Sequence, residues 1–215
     1  MQYFERTFLV NKCTYGIYTL PFQTFANSAR TGKTAFISDV EKPGENVAVD
    51  FELAMQMQRN SARLTGLSVG GEYEEVGPDL FGVEMLQVVS YGIGGQYEPH
   101  RDAFGLSTPN ITTAELSKQR FRHKSGDRIA TLIYYLEDVK PVNGGGTVFP
   151  ELGIAAYPEK GAALFWYNLH RNGQLDQRMI HAGCPVLYGT KWISNHWFRE
   201  RSQLFNRPCD INPYI

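Results

Sequence analysis

Two side chains able to bind a metal, His100 and Asp102, stand one residue apart in the stretch YGIGGQYEPHRDAFG of residues 91–105. In an extended strand, residues i and i+2 point to the same face, roughly 6.6–6.8 Å apart along the chain. Both can therefore turn toward one ion while Arg101 points away. His-x-Asp is too short a pattern to define a metal site alone, so the third ligand must come from a distant segment. The sequence holds five histidines: His100, His123, His170, His181 and His196. His181 is the candidate, because it lies in a strand-like run, whereas His123 falls in a basic polar stretch and His170 beside the turn-like HRNG. Two imidazoles and one carboxylate on three corners of an octahedron leave positions open, the arrangement of non-haem Fe(II) oxygenases. For each histidine taken singly, the alternative is an ordinary hydrogen bond to a loop or core group.

Beyond His181 the run KWISNHW alternates, placing Lys191, Ile193, Asn195 and Trp197 on one face and His196 on the other. A lysine aimed into a sheet interior is costly unless an anion meets it. A dicarboxylate chelating the metal at one end would supply that anion at its other end, and Thr147 and Tyr91 would add hydroxyl hydrogen bonds. The alternative is a solvated edge-strand lysine. A structural zinc would use the same three ligands, yet it would leave Lys191, Thr147 and the open positions without a purpose.

The elements that must hold these groups are mostly short strands. Segments 84–91, 128–136, 147–149, 162–168, 179–187 and 191–199 are rich in Val, Ile, Tyr and Trp and are divided by Gly, Pro and Asn clusters. They predict a mainly β fold with flanking helices, an antiparallel sandwich or jelly roll of the double-stranded β-helix type. Residues 47–67 predict one amphipathic helix, with Phe51, Met55 and Ala62 near one face and Ala54 and Leu64 beside it. Residues 4–20 have strand-like composition without a clean pattern, and 103–126 read as a polar, irregular or partly helical excursion. The expected organisation is a single domain over residues 1–215, with 1–83 as a supporting region and 84–209 as the jelly-roll core.

At 215 residues the chain is long enough for one sizeable core. Its 21 basic and 22 acidic residues give a net charge of −1, which provides no electrostatic case for nucleic acid or an anionic membrane. There is no run of about 18 apolar residues, and MQYFERTFLV lacks the basic start and apolar centre of a secretory signal. As written, this reads as a soluble chain. Cys13, Cys184 and Cys209 show no zinc spacing, and at least one of them is left unpaired. The triplet Asn110-Ile111-Thr112 forms a glycosylation sequon of a kind common by chance.

The stretches YGIGGQYEPHRD, GGGTVFPELG, KGAALFWYNL, HAGCPVLYGTKWISNHWFRE and NRPC resemble the Fe(II)- and 2-oxoglutarate-dependent prolyl 4-hydroxylases, especially the catalytic domain of the collagen prolyl 4-hydroxylase α subunit. ARTGKTAFIS, at 29–38, is similar to an Arg-containing segment of that family, while the rest of 1–83 matches weakly. The resemblance implies that His100, Asp102 and His181 bind Fe(2+) and that Lys191 pairs with the distal carboxylate of 2-oxoglutarate. It makes Thr147 and Tyr91 further cosubstrate contacts. Tyr97, Arg128 and Trp197 match peptide-groove positions, and Arg30 a loop that closes over the peptide. The implied reaction uses O2 to decarboxylate 2-oxoglutarate to succinate and CO2 and to hydroxylate C4 of proline, with L-ascorbate as a supporting cofactor. A proline-rich or collagen-like chain carries little charge and has a pre-set polyproline II backbone, which suits an aromatic-lined groove.

Cys184 and Cys209 match a cysteine pair that is disulfide-bonded in the collagen enzymes, implying the endoplasmic reticulum lumen and leaving Cys13 as the odd thiol. Protein disulfide isomerase, a partner of the collagen enzymes, is a candidate partner here. The chain also departs from the family: Arg199 stands where a histidine is usual, and 215 residues leave no room for the upstream dimerisation and peptide-binding domains. Rival readings are a 2-oxoglutarate oxygenase of the same fold with another protein substrate, and a weakly active peptide-binding module.

Overall fold

The computed structural model describes residues 29–37, 48–69, 82–106, 125–210 and 212. The expectations for residues 4–20, Cys13, the Asn110 sequon, His123 and most of the 103–126 excursion lie outside these residues.

Strands form where β-branched and aromatic residues alternate between glycine and proline punctuation. In chain order the elements are β1 (Lys33–Ile37), α1 (Ala48–Thr65), β2 (Leu86–Tyr91), β3 (Tyr97–His100), β4 (Arg128–Tyr135), β5 (Thr147–Phe149), β6 (Ile154–Ala156), β7 (Ala163–Tyr167), β8 (His181–Gly183) and β9 (Lys191–Arg199). They build a five-stranded sheet, β1-β2-β9-β4-β7, and a four-stranded sheet, β3-β8-β5-β6, with antiparallel pairing throughout. The two sheets share a core in which Phe149 of the smaller sheet meets Val89, Ile133, Trp166 and Ile193 of the larger. This is the expected double-stranded β-helix.

β9 is the spine of the larger sheet. It pairs with β2 on one side and β4 on the other, so all its backbone groups can enter ladders and both its faces are covered. One face looks into the space between the sheets. The other carries the fully buried His196 and Phe198. α1 reaches that outer face through the Ser61 hydroxyl, which lies 2.8 Å from His196 Nδ1 and 2.9 Å from the Tyr134 hydroxyl.

The helix ends agree with the sequence, and the buried face agrees in part. Ala54, Gln58 and Ser61 turn inward, whereas Leu64 is 63 % exposed. Hydrogen bonding to β9 and β4 outweighs burial of one leucine. The 179–187 run is likewise mostly not strand. Residues Gln177–Met179 form a 3-10 turn closed by the Asp176 side chain, β8 keeps only three residues, and Pro185, without an N–H, follows soon after. Among the described residues α1 is the one α-helix, and none of their helices is long and apolar enough to cross a membrane.

Candidate metal and cosubstrate centre

The register of β3 and β8 makes His100 and His181 direct cross-strand partners. Their ring centroids lie 4.3 Å apart. Asp102 falls in the bend just past β3, so the strand periodicity carries His100 and the bend carries the carboxylate. Asp102 Oδ1 is 3.7 Å from His100 Nε2, and Oδ2 is 3.7 Å from His181 Nε2. The three residues offer ligand atoms that all lie within 4.8 Å of one another.

Each ring has its other nitrogen tied to a backbone carbonyl: His100 Nδ1 to Glu98 at 2.7 Å and His181 Nδ1 to Met179 at 2.9 Å. A carbonyl only accepts, so Nδ1 carries the proton and both Nε2 lone pairs face the carboxylate. Burial, and then the neighbouring His181, push the His100 pKa down to about 4, which keeps its ring neutral at ordinary pH. Three lone-pair donors at separations too long for a hydrogen bond leave a gap suited to a small cation. This donor set fits Fe(II).

A hydrogen-bond chain absent from the sequence reading orients the carboxylate. Trp166 Nε1 donates to Asn168 Oδ1 at 2.8 Å, Asn168 Nδ2 donates to Thr131 Oγ1 at 2.9 Å, and Thr131 donates to Asp102 Oδ2 at 2.7 Å. The signal in the sequence was the threonine set between the aliphatic residues of IATLI in β4. A second support is the buried Asp127 carboxylate, which accepts the backbone N–H groups of Phe104, Gly105 and Leu106 at 2.7 to 3.0 Å and so fixes the chain that follows Asp102. The His181 ring also packs edge-on against Trp166, at 4.7 Å.

Lys191, Ile193, Asn195 and Trp197 line the same cleft as His100, Asp102 and His181, together with Tyr91, Tyr97, Thr131, Thr147 and Gly183. Lys191 is only 3 % exposed. Its Nζ reaches Thr147 Oγ1 at 3.4 Å, and among the described residues it has no carboxylate partner. Burial lowers its pKa to about 7. A buried amine with a hydroxyl beside it and no counter-ion is prepared for a ligand carboxylate. Tyr135, which the sequence reading also passed over, donates to the same Thr147 hydroxyl at 2.9 Å.

Tyr91 borders the cleft, and its hydroxyl accepts Arg30 Nε at 3.1 Å. Burial raises its pKa, with Arg30 acting in the opposite direction. Arg30 also lies over the Tyr97 ring, at 4.9 Å, and Tyr97 stacks on His100 at 3.6 Å. On the far side, Arg128 covers the Trp197 ring at 4.0 Å and is bidentate on Glu84, both contacts at 2.6 Å. Arg199, cross-strand from Arg128, donates to the same Glu84 at 2.9 Å. Glu84 thus balances two cations, a pairing the sequence reading did not see. Of the other histidines, His170 faces Asp176 in a turn at 3.8 Å, and His196 lies behind the sheet.

The expected Cys184–Cys209 bond is not formed. Cys209 is an exposed free thiol, whereas Cys184, buried in the smaller sheet with Val148, Ala155 and Ala182, is disulfide-bonded to a cysteine other than Cys209. Cys209 instead follows the chain to the segment where Asp210 N bonds Arg171 O.

Residues 86–199 match the model of the 2OG-Fe(II) oxygenase superfamily. The chain is 41 % identical over 183 residues to prolyl 4-hydroxylase subunit alpha-1 of Gallus gallus, covering 85 % of this chain and 30 % of that protein. It is 42 % identical to the Homo sapiens subunit, covering 85 % and 29 %. It therefore spans less than a third of the length of these relatives. A viral collagen prolyl hydroxylase from Paramecium Bursaria Chlorella virus-1, solved as its 2OG complex, shares the fold at a TM-score of 0.51 and 24 % identity, over 80 % of each chain.

Proposed function

The chain belongs to the 2OG-Fe(II) oxygenase superfamily, and from that premise we propose that it is a peptidyl-proline 4-hydroxylase that couples hydroxylation of a proline-rich or collagen-like peptide to conversion of 2-oxoglutarate to succinate and CO2. The observation that carries this reading is one cleft holding His100, Asp102 and His181 at one end and the uncompensated Lys191 at the other. The 41 % identity to a prolyl 4-hydroxylase subunit supports the choice of substrate.

In this reading His100 Nε2, Asp102 and His181 Nε2 hold Fe(II). The iron with its cosubstrate and O2 supplies the oxidising chemistry, with L-ascorbate as a supporting cofactor. The protein binds, orients and shields. Lys191 and Thr147 take the far carboxylate of 2-oxoglutarate, and Tyr91, steadied by Arg30, closes that side. The Trp166–Asn168–Thr131 chain keeps Asp102 from rotating. Tyr97, Arg128 and Trp197 form the walls that receive the peptide, and Arg30, bridging Tyr91 and Tyr97, spans its rim.

The same reading makes residues 1–215 one domain around a catalytic core at 84–209. It adds the endoplasmic reticulum lumen as compartment and protein disulfide isomerase as partner on the strength of the resemblance, and the disulfide at Cys184 suits an oxidising compartment. The test is succinate release with Fe(II) and 2-oxoglutarate, with and without a (Pro-Pro-Gly)-type peptide. Peptide-stimulated succinate and a mass gain of one oxygen on proline are expected. Oxygen found on another residue would transfer the chain to a different substrate, and no succinate with any peptide would end the proposal.

A further inference from the structure

Among the buried polar atoms that lack a partner, two belong to side chains lining the cleft: Asn195 Oδ1 and Trp197 Nε1. Both residues are more than nine-tenths buried, at 6 % and 7 % exposed. A lone acceptor and a lone donor in such places call for a ligand that presents the opposite pair.

The orientation of the Asn195 amide follows from its neighbours. Arg30 Nη2 lies 3.2 Å from Gln87 Oε1, and since a guanidinium only donates, that atom of Gln87 is its oxygen. Asn195 meets the same oxygen at 3.0 Å, so it does so with Nδ2. Its Oδ1 is left as an acceptor. Trp197 Nε1–H can only donate. The 2-oxoglutarate dianion has neither N–H nor O–H, so it cannot satisfy Asn195.

We propose that Asn195 and Trp197 read the backbone of the substrate peptide, Asn195 Oδ1 accepting an N–H and Trp197 Nε1 donating to a C=O. The two residues sit at i and i+2 on one face of β9, roughly 6.6–6.8 Å apart. Two residues of polyproline II cover about 6.2 Å, so one strand face can meet two backbone groups of an extended proline-rich chain. The consequence is selective. Proline has no N–H, so Asn195 requires a residue other than proline, such as glycine, at one position of the bound segment. This rests on the hydroxylase reading above and specifies what its groove selects.

The experiment replaces the glycines of a short Pro-Pro-Gly-type peptide one at a time by N-methylglycine, which removes the N–H and keeps the carbonyl. For the unaltered protein, one position is expected to raise the peptide KM about tenfold, the effect of leaving one buried acceptor unpaired. With Asn195→Ala the same substitution should have no further effect, because the acceptor is gone and the methyl group has room. If every N-methyl peptide behaves as its parent with the unaltered protein, the inference is wrong, whether or not the variant folds. If the penalty persists in Asn195→Ala, the acceptor is not Asn195 and the inference is again wrong. A loss of uncoupled and peptide-dependent turnover alike in Asn195→Ala, with no N-methyl effect, assigns Oδ1 to a water molecule instead. Failure of every parent peptide to be turned over ends the hydroxylase reading itself, a result distinct from these.

Discussion

The hydroxyl of Thr131 donates to Asp102 Oδ2 and accepts from Asn168, so valine in its place keeps the side-chain shape and removes both bonds. Thr131→Val should weaken metal binding about 10–100-fold with all three ligands intact, measured by titrating Mn(II) or Co(II) into the metal-free protein. An unchanged affinity would leave the chain of bonds without a role in orienting the carboxylate. Lys191 makes a second prediction at this scale. With its pKa lowered to about 7 by burial, the free amine loses its charge as pH rises through 7, and binding the 2-oxoglutarate dianion then requires proton uptake. The KM for 2-oxoglutarate should therefore be flat below about pH 7 and rise above it, approaching tenfold per pH unit, the mass-action limit for uptake of one proton. Lys191→Arg, whose guanidinium stays charged, should remove that slope. Lys191→Ala should weaken the cosubstrate by about 2–5 kcal/mol at any pH where the amine is charged. These ligand-facing residues were legible in the sequence because they carry chemistry; Thr131, Asn168 and Asp127 were not, because each acts through a neighbour that only folding supplies.

At the scale of elements, the contact between α1 and β9 depends on one hydroxyl. Ser61 Oγ donates to Met57 O at 2.8 Å, so toward Tyr134 and His196 it acts as acceptor, and His196 must carry its proton on Nδ1. His196 is 1 % exposed, and burial lowers its pKa to about 4. The unfolded chain titrates near the ordinary histidine value of about 6.5. Between these values the unfolded state binds a proton that the folded state does not, so stability falls as pH drops from 6.5 toward 4, by about 3 kcal/mol in all. Urea unfolding at pH 7 and pH 5 checks this: the midpoint should drop, and the part of the drop due to this site should vanish in His196→Gln. Ser61→Ala should cost about 1–3 kcal/mol at pH 7, because it strands the buried His196 donor and the half-buried Tyr134 hydroxyl. The limits of this helix could be read from residues 47–67, since periodicity and glycine punctuation are local. Its inward face could not, because Ser61 turns in to meet Tyr134 of β4 and His196 of β9, groups that no local pattern reveals.

For the whole molecule, long strands were more readable than short ones, although the three-residue β5 was read with its observed bounds. β4 and β9, with eight and nine residues, carry enough alternation to be recognised, whereas β6 and β8 have three each and exist because neighbouring strands fix their register. The smaller sheet is built from such pieces and holds His100, His181 and Thr147, while the larger holds Lys191, Thr131 and Asn195. The cleft is thus shared between the two layers, and whatever fills it binds the folded state alone. A metal and a dianion bridging His181 of one sheet and Lys191 of the other should stabilise the whole β-helix rather than one loop. By mass action, a ligand at 100 times its Kd adds about 2.7 kcal/mol, which for a domain of this size corresponds to roughly 5–10 °C in Tm. Calorimetry without oxygen, using Mn(II) with and without 2-oxoglutarate, tests the coupling between layers. The two together should raise Tm more than the sum of each alone if, as proposed, the dianion binds both to a metal on the smaller sheet and to Lys191 on the larger. In Lys191→Ala the increment from 2-oxoglutarate should largely disappear while that from Mn(II) remains. Equal increments in both proteins would mean that the cosubstrate does not span the two sheets.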